Sequence, residues 1–316
     1  MTTAHPAAPS TGEVIIVGSV SADLTTFSER RPAPGETILG TDFSLVLGGK
    51  GANQAIAAAR AGATSRIVSC VGSDTFADLV RDGLDRAGVD LADLRTTDGQ
   101  TGIAHIRVDA SGENDIVVVP QANSEVSAEQ IDEALADLPS AGGVLLTQGE
   151  IPRPAMIHAI RRGQERGLMV VLDPAPAPEL EDEIWALVDI VTPNETEATL
   201  LTGITVDSPE SAARAGHWFL DRGVRAAVIT MAGAGSLVVT AEGETTSAQF
   251  PVEVVDTTAA GDAYAGYLAA GLAAGLDLTA AIRRASAAGA LAVTRRGASP
   301  SIPAGSEVDA LLAERA

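Results

Sequence analysis

The chain has 316 residues, of which 46% are hydrophobic and only 3% aromatic, and its formal net charge is −21. That length and apolar content suit one large α/β unit with a core of Ala, Val, Leu and Ile. The acidic balance argues against nucleic-acid binding, which needs a basic surface, and the single cysteine, Cys70, excludes an internal disulfide.

Residues 1–12 are rich in Ala, Pro, Ser and Thr, with no basic start and no apolar stretch. They read as a disordered tail and not as a signal peptide. Residues 13–18 form an apolar run ending in glycine, the pattern of a buried strand. Residues 37–47 alternate loosely, like a half-exposed strand. Residues 50–61 are alanine-rich and predict a helix closed by Gly62. A strand over 65–71 contains Cys70, which reads as a small buried hydrophobe. A helix follows over 76–86, ending at Gly88.

Segments 102–108 and 116–119 flank a turn-rich connection at 110–114, as in a hairpin. With 37–47 they predict a small antiparallel sheet, a lid inserted from about 22–47 and 100–120. Further buried strands are expected over 144–147, 168–172, 189–192 and 226–230, with helices over 154–166, 195–201 and 209–222 between them. That alternation implies a mostly parallel sheet covered on both faces. From Ala259 onward the chain reads as helical, with a turn at Arg296-Gly297. The apolar stretch 264–274 is too short and glycine-rich to span a bilayer, so a cytoplasmic, membrane-free protein is expected. There are no repeats and no low-complexity linkers.

Two segments stand out chemically. The first is Gly48-Gly49-Lys50-Gly51-Ala52-Asn53, which holds the only lysine; every other basic side chain besides histidine is arginine. An ammonium is a compact point charge where guanidinium is a broad fork, and glycines let backbone approach a ligand closely. The second is Asp256-Thr257-Thr258-Ala259-Ala260-Gly261-Asp262, entering a helix at about Ala260. Open N–H groups and the helix dipole make such a start an anion site. Asp262 repels an anion there unless it works as a general base beside a phosphate in transfer. An ordinary first-turn Asp is equally compatible with the residues alone.

Neither segment is a Walker A loop, and no GxGxxG fingerprint follows the first strand. Asp23 and Glu150 lie just past strands, where open α/β sheets bind ligands; a turn role fits Asp23 as well. Asn194 can cap the helix after it or, with Glu197, lie near a polyphosphate and its Mg²⁺. A glycine-rich turn, Ala232-Gly233-Ala234-Gly235, follows a further strand. The four histidines show no metal spacing.

Together these segments resemble the ribokinase family of sugar kinases, also called the PfkB family. Gly49-Lys50-Gly51-Ala52-Asn53-Gln54-Ala55 is similar to its first signature, and Asp256 to Asp262 with Gly266 to its second. The likeness runs from about Val14 to Leu311. It extends to Thr192-Pro193-Asn194-Glu195-Thr196-Glu197-Ala198 and Ala292-Val293-Thr294-Arg295-Arg296-Gly297-Ala298. The resemblance implies a Rossmann-like sheet flanked by helices over 13–316, with a small β-sheet lid that is often the dimer contact. It implies transfer of phosphate from ATP to a sugar, D-ribose O5 in the first instance. By resemblance Asp262 is the base, and Ala260 and Gly261 the anion hole. Ser21, Asp23, Gly49, Lys50, Asn53 and Glu150 match sugar-site positions. Asn194, Thr230, Ala232, Gly233, Gly235, Gly261 and Ser286 match nucleotide contacts, and Glu197 organises Mg²⁺ through water. A K⁺ site matches Asp256, Thr258, Ala292, Arg295, Gly297 and Ser301. Three departures from the family stand out: Ser21 stands where Asn is usual, the turn Ala232-Gly233-Ala234-Gly235 replaces Gly-Ser-x-Gly, and Ala263-Tyr264-Ala265 follows the base where Thr-Phe-Asn is frequent. Ser21 keeps open another pentose, a ketohexose or a nucleoside as substrate; a sensor without turnover is the reading of another class.

Overall fold

The buried apolar runs assemble into one nine-stranded sheet. Edge to edge it runs Gly243–Ser247, Ser236–Thr240, Ala226–Thr230, Ile190–Val191, Met169–Asp173, Val144–Gln148, Glu13–Val17, Thr64–Val71 and Leu94–Thr96. From Ala226–Thr230 to Leu94–Thr96 neighbours are parallel; the hairpin at the other edge is antiparallel. The hairpin follows from its connection. Only the turn around Ala232–Ala234 separates Ala226–Thr230 from Ser236–Thr240, and a parallel return needs a longer crossover. The computed structural model describes residues 12–136 and 142–315. The expected N-terminal tail lies outside them, apart from Gly12.

Helices cover both faces. One layer holds Lys50–Arg60, Ala260–Ala273 and Leu278–Ala292; the other holds Ala128–Ala136, Arg153–Glu165 and Pro209–Leu220. Each layer seals its own apolar cluster against the sheet. Small residues let Lys50–Arg60 and Ala260–Ala273 approach closely. A Cβ built on Gly266 would lie 2.5 Å from both the Gln54 carbonyl oxygen and Ala57 Cβ. That close packing brings the two glycine-marked segments together although more than 200 residues part them. Among the described residues no helix is long and apolar enough to cross a membrane.

The small sheet has the order Asp42–Gly48, Ser21–Phe27, Ile103–Val108, Asn114–Val119. It corrects two expectations. The strand expected over 37–47 starts at Asp42, and the sheet is mixed: Ser21–Phe27 pairs parallel with Ile103–Val108. Both of those strands leave the same edge of the large sheet, after Glu13–Val17 and Leu94–Thr96, so they run in one direction. The strand expected over 189–192 is reduced to Ile190–Val191.

Candidate active site

Strands Glu13–Val17, Val144–Gln148 and Met169–Asp173 end at one edge of the large sheet, and a ligand site belongs at that edge. The helix Lys50–Arg60 starts there because Gly49 adopts φ 89°, a conformation that favours glycine. Gly51 then passes close to the first strand's exit; a Cβ on it would lie 2.6 Å from Ser19 O.

Asp262 is buried where the two helices meet. Asn53 Nδ2 donates to its Oδ2 at 2.9 Å, and Gln54 Nε2 to its Oδ1 at 3.2 Å. The Lys50 ammonium lies 3.6 Å from Asp262 Oδ1 and 3.3 Å from Asp173 Oδ2. Asp173 also accepts from Gln54 Nε2 at 2.7 Å. Burial pushes Asp173 up to about 7, with Lys50 opposing and the Asp262 and Glu197 carboxylates adding. Burial pulls Lys50 down, but Asp173, Asp262, Glu150 and Glu197 outweigh it and hold the ammonium above its ordinary range.

Two cavities share this junction, and both are lined by Lys50 and Asp262. One, of about 320 Å³, has a polar wall of Ser19, Ser21, Asp23, Gly49, Asn53 and Glu150. Its other wall is Ile103, Ala104, Ile106, Ile116 and Val118 from the small sheet. Ser21 Oγ donates to Asp23 Oδ1 at 2.7 Å, and Ser19 Oγ to Glu150 Oε2 at 2.5 Å. Burial lifts Asp23 to about 6 against the Ser21 hydrogen bond, helped by the Glu150 and Asp262 charges.

The other cavity, of about 200 Å³, is lined by Asp173, Thr192, Asn194, Glu197, Thr230, Thr257 and Gly261. It receives the start of Ala260–Ala273. Ala259 there is left-handed (φ 58°) and no side chain caps the helix. A non-glycine residue held so costs about 1–2 kcal/mol and needs a surrounding structure that enforces it. Ala260 N–H points back to Thr257 O at 3.3 Å. Among the described residues the N–H groups of Gly261 and Asp262 have no protein acceptor. A Cβ on Gly261 would meet nothing within 4 Å, and Gly261 and Asp262 both line this cavity. Asn194 and Glu197 form a reciprocal capping box, with both bonds 2.9 Å. Burial raises Glu197, against the Asn194 N–H that it accepts.

The remaining residues singled out in the sequence lie apart. Ala232, Gly233, Gly235 and Ser286 line neither cavity; Ser286 Oγ is 3.5 Å from Ser247 Oγ. Asp256 ties two loops together. Its Oδ1 accepts from Thr258 N–H (2.9 Å) and Oγ1 (2.6 Å), its Oδ2 from Gly297 N–H (2.9 Å). Arg295 turns its guanidinium to Glu307, its N–H donates to Ala292 O at 3.2 Å, and Ser301 N–H donates to Ala298 O at 3.1 Å. Among the described residues the carbonyls of Asp256, Thr258, Arg295 and Gly297 accept no hydrogen bond. Sequence reasoning missed Asp173, Gln54 and Gln148. Asp173 carries the strand-end acid signal that singled out Glu150; Gln54 lies within the first signature segment but had no role there, and Gln148 carries no signal.

The layout is that of an α/β phosphotransferase: a buried carboxylate between a polar cavity and a helix start with open N–H groups. The chain belongs to the pfkB family of carbohydrate kinases, which it matches over residues 11–305. That makes it a ribokinase-type phosphotransferase acting on an alcohol group. It is 39% identical to a ribokinase of Haemophilus influenzae over 290 residues, 91% of this chain and 94% of that one. It is 35% identical to a deoxyribokinase of Salmonella typhi over 293 residues, 92% of this chain and 95% of that one. Its fold matches Arabidopsis thaliana ribokinase complexed with ribose and ATP, with a TM-score of 0.86 and 30% identity over 96% of this chain and 99% of that one.

Proposed function

We propose that this protein transfers the γ-phosphoryl group of ATP to O5 of D-ribose, giving D-ribose 5-phosphate and ADP. The observation that carries the reading is the place of Asp262: its carboxylate lies where the two cavities meet, beside N–H groups with no protein acceptor. Ribose occupies the cavity lined by Ser21, Asp23, Gly49, Asn53 and Glu150, whose oxygens and amide suit sugar hydroxyls. Asp262 takes the O5 proton as O5 attacks the γ-phosphorus in line. The bond from that phosphorus to the β,γ-bridging oxygen breaks, and ADP leaves with the electron pair. The N–H groups of Gly261 and Asp262, at the helix start that Ala260 opens, hold the charge on the moving phosphoryl oxygens. Lys50 adds a fixed cation at the same seam.

ATP lies along Asn194 and Thr230 toward Ala232, Gly233, Gly235 and Ser286. Glu197 and the oxygens around it fit Mg²⁺, a hard cation. Among the described residues no group of three or more His, Cys, Asp and Glu side chains forms a cage, so Glu197 would hold the ion through water, with phosphate oxygens completing its shell. Bound Mg²⁺ neutralises phosphate charge during transfer. K⁺ fits the unbonded carbonyls of Asp256, Thr258, Arg295 and Gly297, with Ala292 and Ser301 alongside. An ATP-consuming enzyme of this kind acts in the cytoplasm. A second copy of the chain would cover the outer face of the small sheet, where Phe43 (56%), Leu45 (40%) and Val117 (57%) are exposed.

Ser21 favours a second reading, a 2-deoxypentose or another small acceptor, because its hydroxyl is already donated to Asp23. ADP release measured over ribose, 2-deoxyribose, ketohexoses and nucleosides, with and without K⁺, separates the two. The highest kcat/KM should belong to ribose, with activity lower without K⁺ at fixed ionic strength. A tenfold preference for 2-deoxyribose transfers the assignment to the second reading, and sugar binding without any ADP release would make the protein a sensor.

A further inference from the structure

Behind the Asp262 carboxylate lies a line of buried amides that phosphoryl transfer does not itself use. Gln54 and Gln148 are both 0% exposed. Gln54 Nε2 donates to Asp173 Oδ2 at 2.7 Å and to Asp262 Oδ1 at 3.2 Å. Gln54 Oε1 accepts from Gln148 Nε2 at 2.6 Å. Gln148 Oε1 has no partner. It faces Gly18, where a built Cβ would lie only 2.1 Å from it.

The direction of this line is imposed from one end. Asp173 and Asp262 both accept from Gln54 Nε2, so the two carboxylates together turn the amino face of Gln54 toward themselves. The Gln54 carbonyl is thereby aimed at Gln148, which has to answer with its own amino group. That leaves the Gln148 carbonyl against Gly18, buried and unpaired. An unpaired buried carbonyl is unfavourable. Turning the Gln148 amide over offers no relief, because it would set two carbonyls face to face. The orphaned oxygen is the consequence of an orientation set by Asp173 and Asp262, two side chains away.

We infer that Gln54 is a positioning residue for Asp262, and that Gln148 acts through it by locking the Gln54 amide with its N–H groups toward the carboxylate. The inference rests on Asp262 being the base. With Asn53 on Oδ2 and Gln54 on Oδ1, both carboxylate oxygens are fixed before an acceptor hydroxyl arrives.

Methionine keeps the unbranched shape of glutamine and removes the amide. In Gln54→Met, kcat should fall about 10–150-fold, the range for a lost hydrogen bond to a charged group, with both KM values within about threefold. Gln148→Met should lower kcat about 3–10-fold, since Gln54 keeps its donors and loses only their fixed direction. The double variant should match Gln54→Met within about twofold, because Gln148 has no route to Asp262 except through Gln54. If Gln54→Met does not fold, Gln148→Met carries the test by the same split of kcat from KM. A Gln54→Met kcat within twofold of wild type overturns the inference. So do additive losses in the double variant, or KM values that rise in step with the fall in kcat. Asp262→Asn measured alongside separates the two claims: near wild-type turnover there removes the base itself, whereas loss there with a silent Gln54→Met removes only the positioning line.

Discussion

The two helices that meet at the site begin in opposite ways. Lys50–Arg60 has no capping side chain of its own, but the protein fills its open end. Lys50 N–H donates to Glu150 Oε2 at 3.1 Å, and Ala52 N–H to Ser19 O at 2.9 Å. Ala260–Ala273 has no cap either, and the N–H groups of Gly261 and Asp262 find no acceptor among the described residues. Elsewhere Asp74, Ser208 and Asp277 accept from their own helices, while Arg153–Glu165 and Asp182–Trp185 also start without a capping side chain. Both ends carry orphan donors and the positive pole of a helix dipole. One is filled by a fixed carboxylate and a backbone carbonyl, while the other stays open among the described residues. Under the proposed reaction the first end holds the site's shape and the second meets the transferring phosphoryl group.

Removing the base at the open end has the largest expected effect. Asp262→Asn keeps the donors and the fold and should lower kcat at least ~10²-fold. A coupled ADP assay at saturating sugar and ATP measures it, and turnover near wild type would take the chemistry away from this helix. Filling the open end comes next. Gly261→Ala adds a methyl into empty space inside a helix, where Ala is favoured over Gly by about 1 kcal/mol. The fold should hold or gain a little stability while kcat falls roughly tenfold, because the methyl enters the space an anion would use. A variant that loses stability, or keeps full activity, contradicts an anion cradle at that position. Lys50→Arg tests the seam between the two ends. Lys50 lines both cavities, so a broader guanidinium should raise both KM values several-fold and not the sugar KM alone. A change confined to one substrate would assign the lysine to one cavity.

The capped and open ends were unequally legible in the sequence. The parallel core could be read because Glu13–Val17, Thr64–Val71 and Val144–Gln148 are buried apolar runs with glycine or helices between them. Ser21–Phe27 was not read as a strand, because Ser-Ala-Asp-Leu-Thr-Thr-Phe is half polar and its partners come from 42–48 and 103–108. Lys50, Asn53 and Asp262 stood out because glycines mark both segments. Asp173 ends an apolar strand before a proline, a visible signal, yet what gives it meaning is Lys50, 123 residues away. Gln54 and Gln148 are ordinary amides until the fold sets them 2.6 Å apart. Long-range polar pairing of this kind leaves no local pattern of spacing or composition to find.

The smallest expected effect lies on the sugar side, next to the carboxylate that fills the closed helix end. Burial lifts Asp23 from 3.8 to about 6, opposed by the Ser21 hydroxyl and helped by Glu150 and Asp262. Between these values the folded protein holds a proton that the unfolded chain has released. Stability contributed by Asp23 therefore falls as pH rises through about 4 to 6 and stays low above it. The upper bound is about 3 kcal/mol for a two-unit shift. Asp23→Asn removes the ionisation and retains a carbonyl that can accept from Ser21. In sugar-free thermal melts it should be more stable than wild type by a few degrees at pH 8 and indistinguishable at pH 4, while the sugar KM rises. The same gain at both pH values would tie the effect to packing. A loss at pH 8 would mean that the Asp23 charge is held by its neighbours, as Glu150 is held by Lys50 N–H, and that both carboxylates stabilise the closed end.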